Sequence, residues 1–130
     1  MNKLDKRIVV TAAFLGALTI AIGAFGAHGL KQLIDAEAIT SFETGVRYQM
    51  FHVIVLLVIG LTGPISTTTK KWVFWFFIFG IILFSGSIYI LALKEILSFD
   101  VKSLWPVTPL GGLSFILGWL CLGYGLLKLK

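Results

Sequence analysis

Four long apolar runs divide this chain, and its charged residues stand between them. No charge occurs in the 23 residues between Arg7 and Lys31, the 22 between Arg47 and Lys70, the 22 between Lys71 and Lys94, or the 25 between Lys102 and Lys128. A helix rises about 1.5 Å per residue, so about 20 apolar residues cross hydrocarbon roughly 30 Å thick. The pattern predicts an all-α integral membrane bundle of four transmembrane helices in a single domain, 1–130, with spans at about 8–27, 46–63, 72–93 and 107–127. Barrel strands alternate apolar and polar residues over about 10 positions. Ile78–Leu83 instead reads IFGIIL, apolar on every side. The first run also exceeds the apolar core of a secretory signal, about 7–15 residues. It is read as the first span, despite its basic start MNKLDKR.

The segment between spans one and two is too polar to cross. Leu30, Leu33, Ile34, Ile39, Phe42 and Val46 recur near helical steps, with Lys31, Asp35, Glu37 and Glu43 between them. That predicts an amphipathic interfacial helix running into span two.

Helices in lipid associate by close packing, so small residues mark contacts. Span one carries Ala12, Gly16, Thr19, Gly23 and Gly26, spaced 4, 3, 4, 3; span four carries Gly111, Ser114, Gly118, Cys121 and Gly125, spaced 3, 4, 3, 4. Both stripes are expected to be packing seams, on each other or across a subunit boundary. Gly29, just past span one, suits a left-handed turn that stops a helix. Thr108-Pro109 suits a cap with proline at the first helical position.

Composition agrees with the pattern. The chain is 58% hydrophobic and 13% charged, with mean hydropathy +0.97, where soluble domains carry about 25% charged residues. The net charge of +5 flanks spans rather than forming a patch. Membrane lipids are therefore the expected partners, and nucleic acid is not. Lys3, Lys6, Arg7, Lys70, Lys71, Lys128 and Lys130 fall at the end holding both termini; Lys31, Arg47, Lys94 and Lys102 fall at the other. By the positive-inside rule both termini are cytoplasmic and the protein is a multi-pass cell-membrane protein. Trp72, Trp75 and Trp105 sit where interfacial anchors belong. The single cysteine, Cys121, excludes an internal disulfide.

Candidate chemistry collects at the end opposite the termini, in His28, Glu43, Arg47, Tyr48, Gln49 and His52. Glu43 and Arg47 stand four apart and can pair along a helix. Tyr48 and His52 share a face, with Gln49 on an adjoining one. A polar group at the depth of His52 seldom faces lipid. The leading reading is a structural hydrogen-bond cluster with His52 bonded to a neighbouring helix. A lipid-headgroup site on Arg47 comes next, then haem or metal ligation by His28 and His52. Ser85, Ser87 and Ser114 lack the G-x-S-x-G of a nucleophile elbow. Ser85 and Ser87 are expected to bond back to their own helix. No acid lies within a span, which disfavours a proton-coupled carrier.

GAFGAHGL (Gly23–Leu30), TGVRYQMFH (Thr44–His52), FSGSIYILAL (Phe84–Leu93) and TPLGGLSFILGW (Thr108–Trp119) occur in this order. Together they resemble the small four-helix bacterial membrane proteins of the YgdD type, over residues 10–127. The resemblance implies four spans and supplies no activity. The loops Pro64–Lys71 and Lys94–Trp105 carry no match. The functional expectation is a non-enzymatic membrane protein, without catalytic residue, cofactor or metal. It packs with itself as a homo-oligomer, with lipids or with a membrane-protein partner, and supports membrane organisation or integrity. A small transporter or channel is the alternative.

Overall fold

The computed structural model describes residues 1–130 and is helical throughout, with no strand. Helix α1 spans Lys3–His28, α2 Ala36–Leu61, α3 Thr67–Gly80, α4 Gly86–Ala92 and α5 Val107–Leu127. A π-helical turn, Ile81–Ser85, joins α3 to α4 in one continuous rod. Four rods result, each long and apolar enough to cross a membrane.

The helices outrun the apolar runs because polar side chains cap them. Asn2 accepts from the Asp5 amide, Asp35 from that of Ala38, and Ser66 from that of Thr69, each satisfying an amide that the first turn leaves free. The amphipathic segment is helical and continues into span two, as its pattern predicts. Leu30–Gln32 is a short 3₁₀ turn, and α2 then runs unbroken from Ala36 through the apolar run. Its apolar residues have a partner: Phe42, with Leu30 and Ala92, forms a small core at this end. The N-terminal turns of α2 are therefore held by protein.

Gly29 departs from expectation. Its φ of −68° and ψ of −45° are right-handed, and no residue in the chain has positive φ. The turn after α1 tightens into 3₁₀ geometry instead of reversing hand. At the start of α5, Pro106 stands at the cap position and makes no side-chain bond. Thr108 lies inside the helix and its hydroxyl pairs with Ser87 at 2.6 Å.

Both small-residue stripes lie inside the monomer and face different neighbours. Gly16, Gly23 and Gly26 meet Val53, Val46 and Phe42, so α1 runs antiparallel along α2. Gly111, Gly118 and Gly125 meet Phe84, Phe77 and Thr69, so α5 runs antiparallel along α3. In the second pair the packing is reciprocal, because Gly80 of α3 receives Phe115 of α5. Aromatic rings fill the space that missing side chains leave, and backbones approach closely. Ser114 closes the same seam by donating to the Phe76 carbonyl at 2.6 Å. Cys121 lies at its edge, half-buried. The pairs join through α2, which packs on α4 and the π turn, around Ile8, Val53, Leu56, Val73, Phe77 and Phe115.

Candidate functional site

Six candidate residues were expected to form one cluster, and helical geometry splits them. Gln49 and His52 are buried at 2% and 4% exposure. His28, Glu43, Arg47 and Tyr48 are exposed. Glu43 and Arg47 form no ion pair; the chain's one salt bridge joins Lys70 to Asp5. The four-residue spacing that permits a pair also keeps both side chains on the outward stripe of α2, where water and headgroups compete for them.

The buried pair belongs to a polar network crossing the bundle. Tyr89 of α4 donates its hydroxyl to Gln49 Oε1 at 2.8 Å. Gln49 Nε2 donates to Thr19 Oγ1 of α1 at 2.8 Å, and that hydroxyl donates back to the Leu15 carbonyl at 2.6 Å. The chain of donors fixes the amide orientation. With the amide flipped, Thr19 would have to donate to Gln49 and would lose its bond to Leu15. Ser85, fully buried in the π turn, donates to the Gly45 carbonyl at 2.7 Å. The wider π turn contains this serine, which therefore bonds across helices and not back along its own. Ser87 bonds both to the Phe84 carbonyl and to Thr108.

His52 is bound on both edges and across its face. Its Nδ1 lies 2.6 Å from the Tyr48 carbonyl, and its Nε2 lies 3.0 Å from Trp119 Nε1 of α5. A carbonyl only accepts and an indole N–H only donates. The ring is therefore neutral, with its proton on Nδ1. It stacks on Phe115 at 3.6 Å between centroids and meets Phe77 edge-on at 4.7 Å.

These contacts remove the metal reading. Both nitrogens of His52 are engaged, and His28 lies elsewhere. Gly26 faces Phe42 whereas Gly16 faces Val53, so the two histidines differ on the order of 20 Å in axial position at about 1.5 Å per residue. A metal bound by nitrogen needs contacts near 2 Å. No group of three or more His, Cys, Asp or Glu converges in a metal-binding arrangement.

At the end away from the termini a cleft of about 590 Å³ opens between the start of α2, the end of α4 and the start of α5. Asp35, Glu37 and Glu95 face Lys94 and Lys102 across it, beside the exposed Trp105. Arg47 and His28 do not line it. Polar groups of both signs against an indole can hold an amphiphile's headgroup. Sequence reasoning missed this cleft because its walls come from three distant segments. It also missed Tyr89 and Trp119, which read as ordinary aromatic residues of apolar spans. Lys70, counted among the charges that flank the spans, is 2% exposed and lies 2.7 Å from Asp5.

Comparison with known proteins gives the chain its relatives. The sequence profile of the family described as "Protein of unknown function (DUF423)" matches residues 22–112. A UPF0382 membrane protein of Staphylococcus saprophyticus is 39% identical, over 95% of this chain and 99% of its own length. One of Haemophilus influenzae is 36% identical, over 98% of each. The UPF0382 inner membrane protein YgdD of Escherichia coli is 38% identical, over 97% of this chain and 93% of its own. No solved structure matches the chain. Four spanning helices, no strand and relatives named as membrane proteins agree: the chain belongs to the DUF423 family, membrane proteins whose function is unknown.

Proposed function

We propose that the protein is a non-enzymatic membrane component that supports the organisation or integrity of its membrane. It does so by packing with lipids, with further copies of itself or with partner membrane proteins. One observation carries this reading: no buried side-chain nitrogen or oxygen lacks a partner within the chain. Polar side chains that serve a substrate or ion within a membrane line a cavity or a path across it, and neither cleft of this bundle is lined by the buried polar residues. Here Thr19, Gln49, Tyr89, His52 and Trp119 are all engaged with one another or with the backbone. The exposed His28, Glu43 and Arg47, together with the mixed-charge cleft, supply headgroup contacts. Seven basic residues at the end with the termini, against four at the other, support cytoplasmic termini. Self-association rests on new ground, because the glycine seams are occupied within the monomer. Helix α1 exposes Ala13, Ala17 and Ala21 beside Phe14, a spacing that suits close helix approach.

Deleting the gene tests the reading. Membrane permeability, membrane potential or stress tolerance should change and be restored by the wild-type gene; a strain normal in all three would sink it. A small transporter is the second reading, favoured by the π turn beside the polar network, since such turns recur at functional sites. It requires ion or lipid flux in liposomes holding the purified protein, where the first reading expects none.

A further inference from the structure

A second cleft, of about 610 Å³, opens at the end holding both termini, between the start of α3 and the end of α5. We propose that it binds the headgroup of an anionic phospholipid, its phosphate held by Lys128 and Lys130 and its glycerol and upper acyl region lying against Trp72 and Tyr124.

Charge carries the argument. Lys128 and Lys130 line the cleft, and no acidic side chain does. Asp5 is the one acid at this end of the bundle, and Lys70 already binds it at 2.7 Å. Neither cleft lysine therefore has an acidic side chain to pair with. Lys128 lies over the Tyr124 ring, 4.2 Å from its centroid. A cation–π contact fixes the position of an ammonium and leaves its charge uncompensated. An anion from outside the chain can supply the counter-ion.

The walls select a lipid over a free anion. Trp72 is 55% exposed and Tyr124 63%, and with Leu129 they give the cleft an apolar side. An indole and a phenol beside paired lysines suit the boundary between headgroup and acyl chain. The far cleft differs in kind, since three carboxylates line it and would repel an anion.

The site rests on the chain's place in a membrane, not on its physiological role. A deletion strain without a membrane defect would leave it standing. Purified protein in neutral detergent is titrated with phosphatidylglycerol or with phosphatidylcholine, and retained lipid is read by intact-complex mass measurement. A lysine near the surface multiplies affinity for anionic lipid roughly fivefold. Phosphatidylglycerol should therefore bind about 30-fold better, and Lys128→Gln with Lys130→Gln should abolish the preference. Lys71→Gln, an exposed cation outside the cleft, should leave it. Equal loss with Lys71→Gln would mean diffuse attraction and overturn the proposal. Inorganic phosphate displacing the lipid at matched concentration would also overturn it, as a plain anion site. A readout needing no variant is Cys121, the chain's one thiol, which lines the cleft. Its alkylation by uncharged N-ethylmaleimide should slow severalfold in vesicles of phosphatidylcholine with phosphatidylglycerol against phosphatidylcholine alone. Equal rates would count against the site.

Discussion

Gly111 and Gly112 are adjacent, identical in chemistry and one turn into the same helix, yet the fold treats them oppositely. A Cβ built on Gly111 falls 2.7 Å from Phe84 Cα, and the Phe84 backbone nitrogen is nearer still. One built on Gly112 finds only the Phe84 ring, at 3.7 Å. Carbon atoms rest about 3.5–4.0 Å apart, so Gly111→Ala forces a gap of about 1 Å. The obstacle is backbone and cannot rotate away. Parting the α3–α5 seam by that much forfeits a quarter to a half of each contact across it. Some tens of atom pairs at 0.1–0.2 kcal/mol each make that about 1–3 kcal/mol, the usual range for overpacking. Alanine also gains up to about 1 kcal/mol of helix propensity over glycine. Both variants receive this gain, so it cancels in their difference. Gly111→Ala should therefore be less stable than Gly112→Ala by about 1–3 kcal/mol, and Gly112→Ala should equal or exceed the wild type. The assay is unfolding in mixed micelles titrated with a denaturing detergent, followed by tryptophan emission. Equal midpoints, or a lower one for Gly112→Ala, would refute the close approach of α5 to the π turn.

Three further outcomes are expected in the same assay. Gln49→Leu should cost about 2–4 kcal/mol, two intramembrane hydrogen bonds at about 0.6 kcal/mol each plus about 1–3 kcal/mol for a stranded Tyr89 hydroxyl; Tyr89→Phe added to it should cost less than its separate effect. Asp5→Asn leaves the buried Lys70 ammonium unpaired and should cost about 3 kcal/mol. Lys70→Met leaves only Asp5, whose side chain is 13% exposed, and should cost about 1 kcal/mol; the reverse order would contradict the burial. His52→Ala should cost about 2–3 kcal/mol through the emptied stack on Phe115 and the lost acceptor of Trp119. His52→Phe keeps the stack and should recover about half.

How much of this was legible along the chain differs between elements. The four rods were, because a charge in hydrocarbon is costly wherever it lies, and the charge-free runs from Arg7 to Lys31, Arg47 to Lys70, Lys71 to Lys94 and Lys102 to Lys128 record that cost locally. That Gly111 and Gly118 belong to a contact was legible from spacing alone, and its partner was not. The stripe fits any helix presenting a bulky ring, and the rod of α3 and the π turn offers Phe77 and Phe84 at the same seven-residue step. The extra residue of the π turn was invisible, since Ile81–Ser85 reads as ordinary apolar helix. The bond that its Ser85 makes reaches a carbonyl 40 positions away in the chain.

The candidate site shows the same division. Sequence alone determined that His52 and Gln49 had to find partners, because a polar group within a span is costly when unpaired. Only the tertiary structure decided that Thr19, Tyr89 and Trp119 are those partners, and that Glu43, Arg47 and His28 point away. Helical spacing limits which residues can share a face. Which face is buried depends on where three other helices stand, and that is settled by packing between segments far apart in the chain. The same holds for the two clefts, whose walls are drawn from separate segments and whose character depends on which charges are already paired.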